Sequence, residues 1–264
     1  SKLFDISNNR DNHILYGGAK NYDFTGLKKF SKKSITLHIQ RSNIMSSGKI
    51  PLIGLGYINA YSMFHTNVFD RMYGDYFIDR SNMKKEDIRK MIDILTKNKI
   101  NIKELVISFC NISVEGSLIL SELIDTLQVK ALYMFNVDFE SQLALDNLLS
   151  NSMSIQKLRL DVIGLRTPKL KNDKKKRRQP HEMINKMMIE LWSSLGALLM
   201  NMKLQKFTFI GNSLSFESMI EILSGLSHST KMKKTELSSF SLCDIFFPYP
   251  KKNPRITKDK VDQI

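Results

Sequence analysis

The densest charge in the sequence is a run of basic residues between Pro168 and Pro180. Its seven cations are Lys169, Lys171, Lys174, Lys175, Lys176, Arg177 and Arg178. Such a run buries too little apolar surface to offset the cost of ordering, which predicts a surface loop over residues 166–180. Clustered cations suit a polyanion, so the loop could be a nuclear localisation signal, a contact for nucleic acid or anionic lipid, or a docking loop for an acidic protein surface. A solvated insertion without a partner is the alternative.

A second set of residues is spaced for display on one side of a β-sheet, because alternate residues of a strand point the same way. Tyr133 and Phe135 are two residues apart and are flanked by Arg159, the mixture of residue types that is enriched in protein-binding hot spots. Lys157 lies two residues before Arg159, and Lys206 takes the same position in a further segment. These five residues are therefore the predicted protein-binding face. The alternative is that an aromatic ring there packs on a side chain of the next strand.

The other chemistry-bearing residues have no catalytic arrangement. The histidines are scattered, and neither they nor Cys110 and Cys243 have the spacing of metal ligands. Gly54-Leu55-Gly56 lacks the third glycine and the preceding strand of a dinucleotide-binding loop. We therefore expect a protein that is not an enzyme and that uses no cofactor, metal or small-molecule substrate. The two cysteines have no paired spacing, which favours buried thiols in a reducing compartment.

A repeating apolar pattern is the element that would position the predicted face. It begins at Ile102, Val129, Ile155, Leu204 and Met232, so its starts are 27, 26, 49 and 28 residues apart. The excess length in the long step begins with the basic run, and a predicted helix over residues 181–202 follows it. In each unit the fourth and sixth positions alternate as in a strand, and a helical run follows. Degenerate units begin at Ser34 and Tyr73, which makes about seven repeats.

The units read L-x-x-L-x-L-x-x-N/C-x-L followed by a helix, and this pattern resembles the leucine-rich repeat of the ribonuclease-inhibitor type. The ninth position, where a small polar side chain satisfies the backbone, holds Cys110 and Asn212 but also Val137, Ile163 and Phe240, so the repeats are irregular. The resemblance implies an α/β solenoid with a curved parallel sheet inside and helices outside. An ordinary α/β domain with strand-helix units of similar length is the alternative.

The template assigns fifteen residues to the open side of this sheet. They are Glu104, Val106, Ser108, Ala131, Tyr133, Phe135, Lys157, Arg159, Asp161, Lys206, Thr208, Ile210, Lys234, Glu236 and Ser238. The acidic residues Glu115, Glu122 and Asp125 are expected on the outer faces of helices.

The repeats define three parts of the chain. Residues 1–33 have no clear period and are expected to form an N-terminal arm that caps the first repeat. Residues 34–243 form the repeat region, interrupted by the loop at 166–180. Residues 244–264 are expected to form a C-terminal cap and a basic tail.

The net charge of +14 is uneven, since residues 27–49 and 168–180 each carry +6, residues 251–264 carry +3, and the rest carries −1. Basicity confined to segments favours an acidic partner met at particular sites. We therefore predict a scaffold module that binds an acidic protein within a larger assembly. Two other functions stay open: a regulator of an enzyme, resembling the leucine-rich-repeat activators of small GTPases, and a nucleic-acid-associated subunit of a ribonucleoprotein.

The sequence holds no apolar run long enough to span a bilayer, because Pro51, Gly54, Gly56 and Asn59 interrupt the longest one at residues 50–64. The first twenty residues have no apolar core of a signal peptide. We expect an intracellular protein, in the cytoplasm first, with the nucleus or an organelle interior as alternatives.

Overall fold

The structure is a computed structural model that describes residues 13–16, 24–40, 42–44, 76–79, 82–165, 192, 194–212, 214, 216–233 and 239–243. The strands are β1 (His13–Tyr16), β2 (Ser34–Gln40), β3 (Asn43–Ile44), β4 (Tyr76–Asp79), β5 (Asn82–Met83), β6 (Asn101–Ser108), β7 (Asn111–Ile112), β8 (Ala131–Phe139), β9 (Lys157–Leu165), β10 (Lys206–Ile210) and β11 (Ser239–Cys243). The helices are α1 (Lys85–Lys97), α2 (Val114–Thr126), α3 (Gln142–Ser150), α4 (Leu195–Asn201) and α5 (Phe216–Lys233), and a 3-10 helix spans Thr25–Phe30.

The described strands form one sheet in which every pairing is parallel. The long strands lie in the order β1-β4-β2-β6-β8-β9-β10-β11, and β5, β3 and β7 form a second short row that joins β8. Helices follow β5, β7, β8 and β10 along the chain. The predicted α/β class with a parallel sheet is thus confirmed.

The apolar alternation places neighbouring strands in the predicted register. Leu105, Leu132, Leu158 and Phe207 are successive partners across β6, β8, β9 and β10, and each is at most 1% exposed. Two residues further on, Ile107, Met134, Leu160 and Phe209 form a second buried row. Both rows belong to one core cluster with the inner residues of the helices. The units from β6 onward therefore share a continuous hydrophobic core.

The N-terminal units are not neighbours in the predicted order. The period of 29 residues from Tyr73 to Ile102 predicts that their strands lie side by side, but β2 lies between β4 and β6. A helix of 13 residues is about 20 Å long, whereas strands are about 4.8 Å apart, so α1 can cross one intervening strand. The residue period therefore measures the length of a unit and not its place in the sheet.

The last strand is also out of the predicted register. The template aligns Lys234 with Lys206, whereas the structure pairs Lys206 with Ser239. The cause is α5, whose 18 residues continue through Met232 and so delay the strand. Lys234, Glu236 and Ser238 lie outside the described residues, and the backbone partners of Lys206, Thr208 and Ile210 are Ser239, Ser241 and Cys243.

The apolar spacing predicts a helix over residues 84–98, and α1 begins and ends close to these bounds. The Lys84 backbone N–H donates to the Asp87 carboxylate at 2.9 Å, which caps the first turn of α1. The stripe that faces the core is Ile88, Met91, Ile92 and Leu95. Lys99 then takes a left-handed conformation, φ 53°, as helix C-termini require. Of the long helix predicted over residues 181–202, the described residues are helical only in α4. Trp192 and Ser194 lie in turns, where the prediction of a continuous helix is wrong, and Trp192 is fully buried.

A left-handed residue recurs at the same point of four successive strands. It is Phe109, Asn136, Val162 or Gly211, with φ between 49° and 64°. Strict alternation would turn this eighth position toward the core, but the left-handed residue shifts the phase, as in a β-bulge. The ninth position turns inward instead, and Cys110, Val137, Ile163 and Asn212 are each at most 2% exposed. The feature repeats with the apolar rows, although only Gly211 indicates it in the sequence.

The terminal parts are described only in places. The predicted N-terminal arm contributes edge strand β1, which pairs with β4, and its Phe24 and Leu27 belong to the core. The basic loop at 166–180 and the predicted cap and tail at 244–264 lie outside the described residues. In the described part of the chain, no helix is both long and apolar enough to cross a membrane.

Candidate binding surface

One side of the sheet faces away from the helices, and we call it the open face. It is formed by three rows of partners across β6, β8, β9 and β10. The rows are Glu104, Ala131, Lys157 and Lys206; Val106, Tyr133, Arg159 and Thr208; and Ser108, Phe135, Asp161 and Ile210. The four predicted triplets of these strands thus share one surface.

Arg159 is the best anchored residue of this surface, because it contacts two residues of the neighbouring row, Phe135 and Asp161. Its Cζ lies 4.9 Å from the centroid of the Phe135 ring, a cation–π geometry. Its Nη2 donates to Asp161 Oδ2 at 3.0 Å, and the Arg159 side chain is 29% exposed against 3% for Asp161. The buried Asp161 carboxylate therefore holds the guanidinium in place while part of it remains open to solvent.

The two aromatic residues are less open than the sequence suggests. Tyr133 and Phe135 are both half-buried, whereas an exposed pair is the prediction. Phe135 packs against Arg159 of the next strand, which is the alternative that the sequence leaves open for an aromatic ring there. Burial raises the pKa of Tyr133, the Glu104 carboxylate adds to the rise, and Arg159 opposes it. The Tyr133 hydroxyl is therefore a hydrogen-bond donor at neutral pH.

Lys157 and Lys206 stand opposite each other on β9 and β10, and both are exposed. Like charges on facing positions of neighbouring strands repel each other. No ion pair joins either lysine to another described residue. An acidic group placed between them would remove this repulsion, so the pair favours an anionic partner.

His38 and Ser108 form a polar contact that the sequence does not single out. His38 Nε2 lies 2.8 Å from Ser108 Oγ, and both residues are 4% exposed. They lie on β2 and β6, at the other end of the open face from Lys206. Burial lowers the pKa of His38 to about 4, so its imidazole is neutral at physiological pH.

Acidification is expected to destabilise the protein through His38. Because its pKa is 6.5 unfolded and about 4 folded, the unfolded chain binds the proton first as pH falls. Stability is unaffected above the unfolded value and falls between the two values, by about 2 kcal/mol on going from pH ~7 to pH ~5. Chemical denaturation at the two pH values measures this loss. His38→Gln, which keeps a donor near Ser108, should lose about that much less, and an unchanged pH dependence would contradict the assignment.

The predicted buried thiol is confirmed for Cys110, which is 2% exposed. Its Sγ donates to the carbonyl oxygens of Ile39 and Ser108 at 3.5 and 3.2 Å. Among the residues that the structure describes, no three His, Cys, Asp or Glu side chains are grouped as metal ligands. Glu115, Glu122 and Asp125 are exposed on α2, as the sequence predicts.

The five predicted binding residues are thus brought together, whereas the predicted basic loop from Lys169 to Arg178 lies outside the described residues. Comparison of the chain with family models, with curated proteins and with solved structures gives no match.

Proposed function

We propose that this chain is a non-catalytic, protein-binding scaffold module whose open face binds an acidic surface of a protein partner. The observation that carries the proposal is the Arg159 arrangement beside the Lys157–Lys206 pair. A guanidinium fixed by a buried carboxylate and an aromatic ring loses little conformational entropy on binding. Arginine and tyrosine are also among the residue types that are enriched in binding hot spots.

We further propose that the units from β6 onward are leucine-rich repeats arranged as a solenoid. Three features support this: the register of the apolar rows, the left-handed residue at the eighth position of four strands, and the inward ninth position. Asn212 and Cys110 make equivalent hydrogen bonds at that ninth position, each to a carbonyl of its own strand and to one of the neighbouring strand. A solenoid of this kind offers an extended open sheet to a partner.

Affinity purification with two baits tests the proposed function. The baits are the wild-type chain and the double variant Tyr133→Ala with Phe135→Ala, and the proteins captured from the native cell are quantified. The partner is expected to be captured at least tenfold less by the variant, since truncating two hot-spot residues costs about 1.4 kcal/mol or more.

The matched control is Leu118→Ala with Leu143→Ala, two residues that are 50% and 55% exposed on α2 and α3, away from the open face. This control should capture the partner as the wild type does. Capture that is the same with all three baits, or that is lost only in the control, would contradict the proposed function.

A further inference from the structure

The edge of the sheet where the strands begin carries a row of exposed lysines that are far apart in the sequence. Eight lysines lie within three residues of the first residue of β2, β6, β8, β9 or β10: Lys32, Lys33, Lys99, Lys103, Lys130, Lys157, Lys203 and Lys206. None of them forms an ion pair with another described residue. Because parallel strands all begin at one edge, these cations are collected there.

Backbone hydrogen bonds fix the central part of this edge. The N–H groups of Gln156 and Lys157 donate to the Lys130 carbonyl at 2.8 and 3.0 Å. Those of Gln205 and Lys206 donate to the Gln156 carbonyl at 2.7 and 3.0 Å. The starts of β8, β9 and β10 are therefore held side by side.

A cleft of about 280 Å³ opens at this place, and we call it the edge cleft. It is lined by Asp125, Gln128, Lys130, Met153, Ser154, Gln156 and Lys203. Two of its walls are held by hydrogen bonds, since Gln128 Nε2 donates to the Asp125 carbonyl at 2.7 Å and Ser154 Oγ donates to the Val129 carbonyl at 2.9 Å. These hydrogen bonds hold the segments that line the cleft in place.

Lysines at this edge also lie near the carboxyl ends of the helices, where a cation is favoured by about 0.3–1 kcal/mol. That effect explains Lys99 and Lys203, which lie two residues after the last residues of α1 and α4. It does not explain Lys157 and Lys206, which face each other within strands, or the combination of cations with an exposed apolar side chain. Met153 is 50% exposed at the cleft. Methionine is enriched in protein interfaces because its flexible thioether adapts to a partner.

We propose that the edge cleft binds an acidic peptide segment of the partner protein, with Lys130 and Lys203 as the cations that contact its carboxylates. Lys157 and Lys206 continue the positive surface toward the open face, and the amides of Gln128 and Gln156 suit the peptide backbone. Asp125 is the one acid among the lining residues, and it leaves the lining with a net positive charge. This inference rests on the proposed function and assigns the chemistry of its ligand.

The surface favours a peptide over a single-stranded nucleic acid. Binding of single strands uses aromatic side chains on which bases stack. The exposed large apolar residues of the described chain are Leu118, Leu143, Met153, Met200 and Ile220, none of which is aromatic. The edge cleft thus offers charge and amide groups without a stacking platform.

Fluorescence anisotropy with a fluorescein-labelled oligo-glutamate peptide at low salt tests the inference on the full chain. Lys130→Gln with Lys203→Gln should weaken binding at least tenfold, and Lys130→Arg with Lys203→Arg should restore most of it. The control Lys85→Gln with Lys90→Gln removes two exposed lysines from α1 and the same net charge, so it should change affinity less than twofold. A second comparison, Lys174→Gln with Lys175→Gln, removes the same net charge from the basic loop, and weaker binding by this pair without weaker binding by the Lys130 and Lys203 pair would overturn the inference.

Equal weakening by all the glutamine pairs would overturn the inference, because net charge alone would then explain binding. Absence of wild-type binding, or tighter binding of a single-stranded oligonucleotide than of the peptide, would also overturn it. The proposed function fails separately. If the peptide binds through the edge cleft but Tyr133→Ala with Phe135→Ala captures every cellular protein that the wild type captures, only the role of the open face is contradicted. If that variant loses the partner but the cleft variants bind the peptide as the wild type does, only the role of the cleft is contradicted.

Discussion

Replacing Asn212 with alanine is expected to lower the free energy of unfolding by about 3–5 kcal/mol. The Asn212 side chain is 1% exposed and makes three hydrogen bonds. Its Oδ1 accepts from the Ile163 N–H at 2.7 Å, and its Nδ2 donates to the carbonyl oxygens of Leu160 and Ile210 at 3.0 and 2.9 Å. Alanine would leave three backbone groups buried without these partners, each at a cost of about 1–3 kcal/mol.

Two other variants make this prediction specific. Asn212→Cys should lose distinctly less stability than Asn212→Ala, because Cys110, at the equivalent position after β6, makes the same two kinds of contact to carbonyl oxygens. Asn151→Ala, at an exposed position after α3, should change stability by no more than about 0.5 kcal/mol. Urea denaturation measures all three, and a loss no larger for Asn212→Ala than for Asn151→Ala would show that the strands are not joined through this side chain.

Replacing Leu132 with alanine should cost about 2–5 kcal/mol. Leu132 is fully buried and lies in register between Leu105 and Leu158 on the adjacent strands. Truncation therefore leaves a cavity in a core that several strands share, which the surrounding residues can fill only in part. Leu143→Ala is the control, since that leucine on α3 is 55% exposed.

A double-mutant cycle decides whether the core is continuous. Leu132 and Leu158 are partners in one buried row, so the stability losses of Leu132→Ala and Leu158→Ala should be non-additive by about 0.5 kcal/mol or more. The same cycle between Leu132 and the exposed Leu143 should be additive. Additive losses in both cycles would mean that β8 and β9 do not pack into one hydrophobic interior.

The sequence predicts the part of the fold that depends on local alternation. Leu105, Leu132, Leu158 and Phe207 are identified as one buried row because alternation and apolarity coincide in each strand. The stripe of α1 is identified for the same reason, with a helical period. These features need no knowledge of which strand lies beside which.

The sequence does not predict the place of β2 between β4 and β6, because the lengths of the units leave the order of the strands open. Nor does it predict that α5 continues through Met232. The repeat template also fits the apolar residues that follow Met232, and this fit places the last strand five residues before its position in the structure. The left-handed conformations of Phe109, Asn136 and Val162 are not predicted either, because none of these residues is a glycine.

The candidate sites divide along the same line. Tyr133, Phe135 and Arg159 can be assigned to one face from alternation alone, but the packing of Phe135 under Arg159 depends on the register between strands. The edge cleft cannot be recognised in the sequence, because Lys130 and Lys203 are far apart along the chain. Both lie outside the three basic segments, among residues whose summed net charge is −1. Basic segments such as 166–180 draw attention in a sequence because their charges are consecutive.

Photo-crosslinking tests most directly whether the open face is the binding surface. The photoreactive residue p-benzoyl-phenylalanine replaces Phe135 in one protein and Leu143 in another, and each is irradiated with extract from the native cell. We expect a protein partner with an acidic surface to be crosslinked from position 135 and not from position 143. Crosslinks from position 143 alone, or the same products from both positions, would contradict the assignment of the open face as the surface that binds protein.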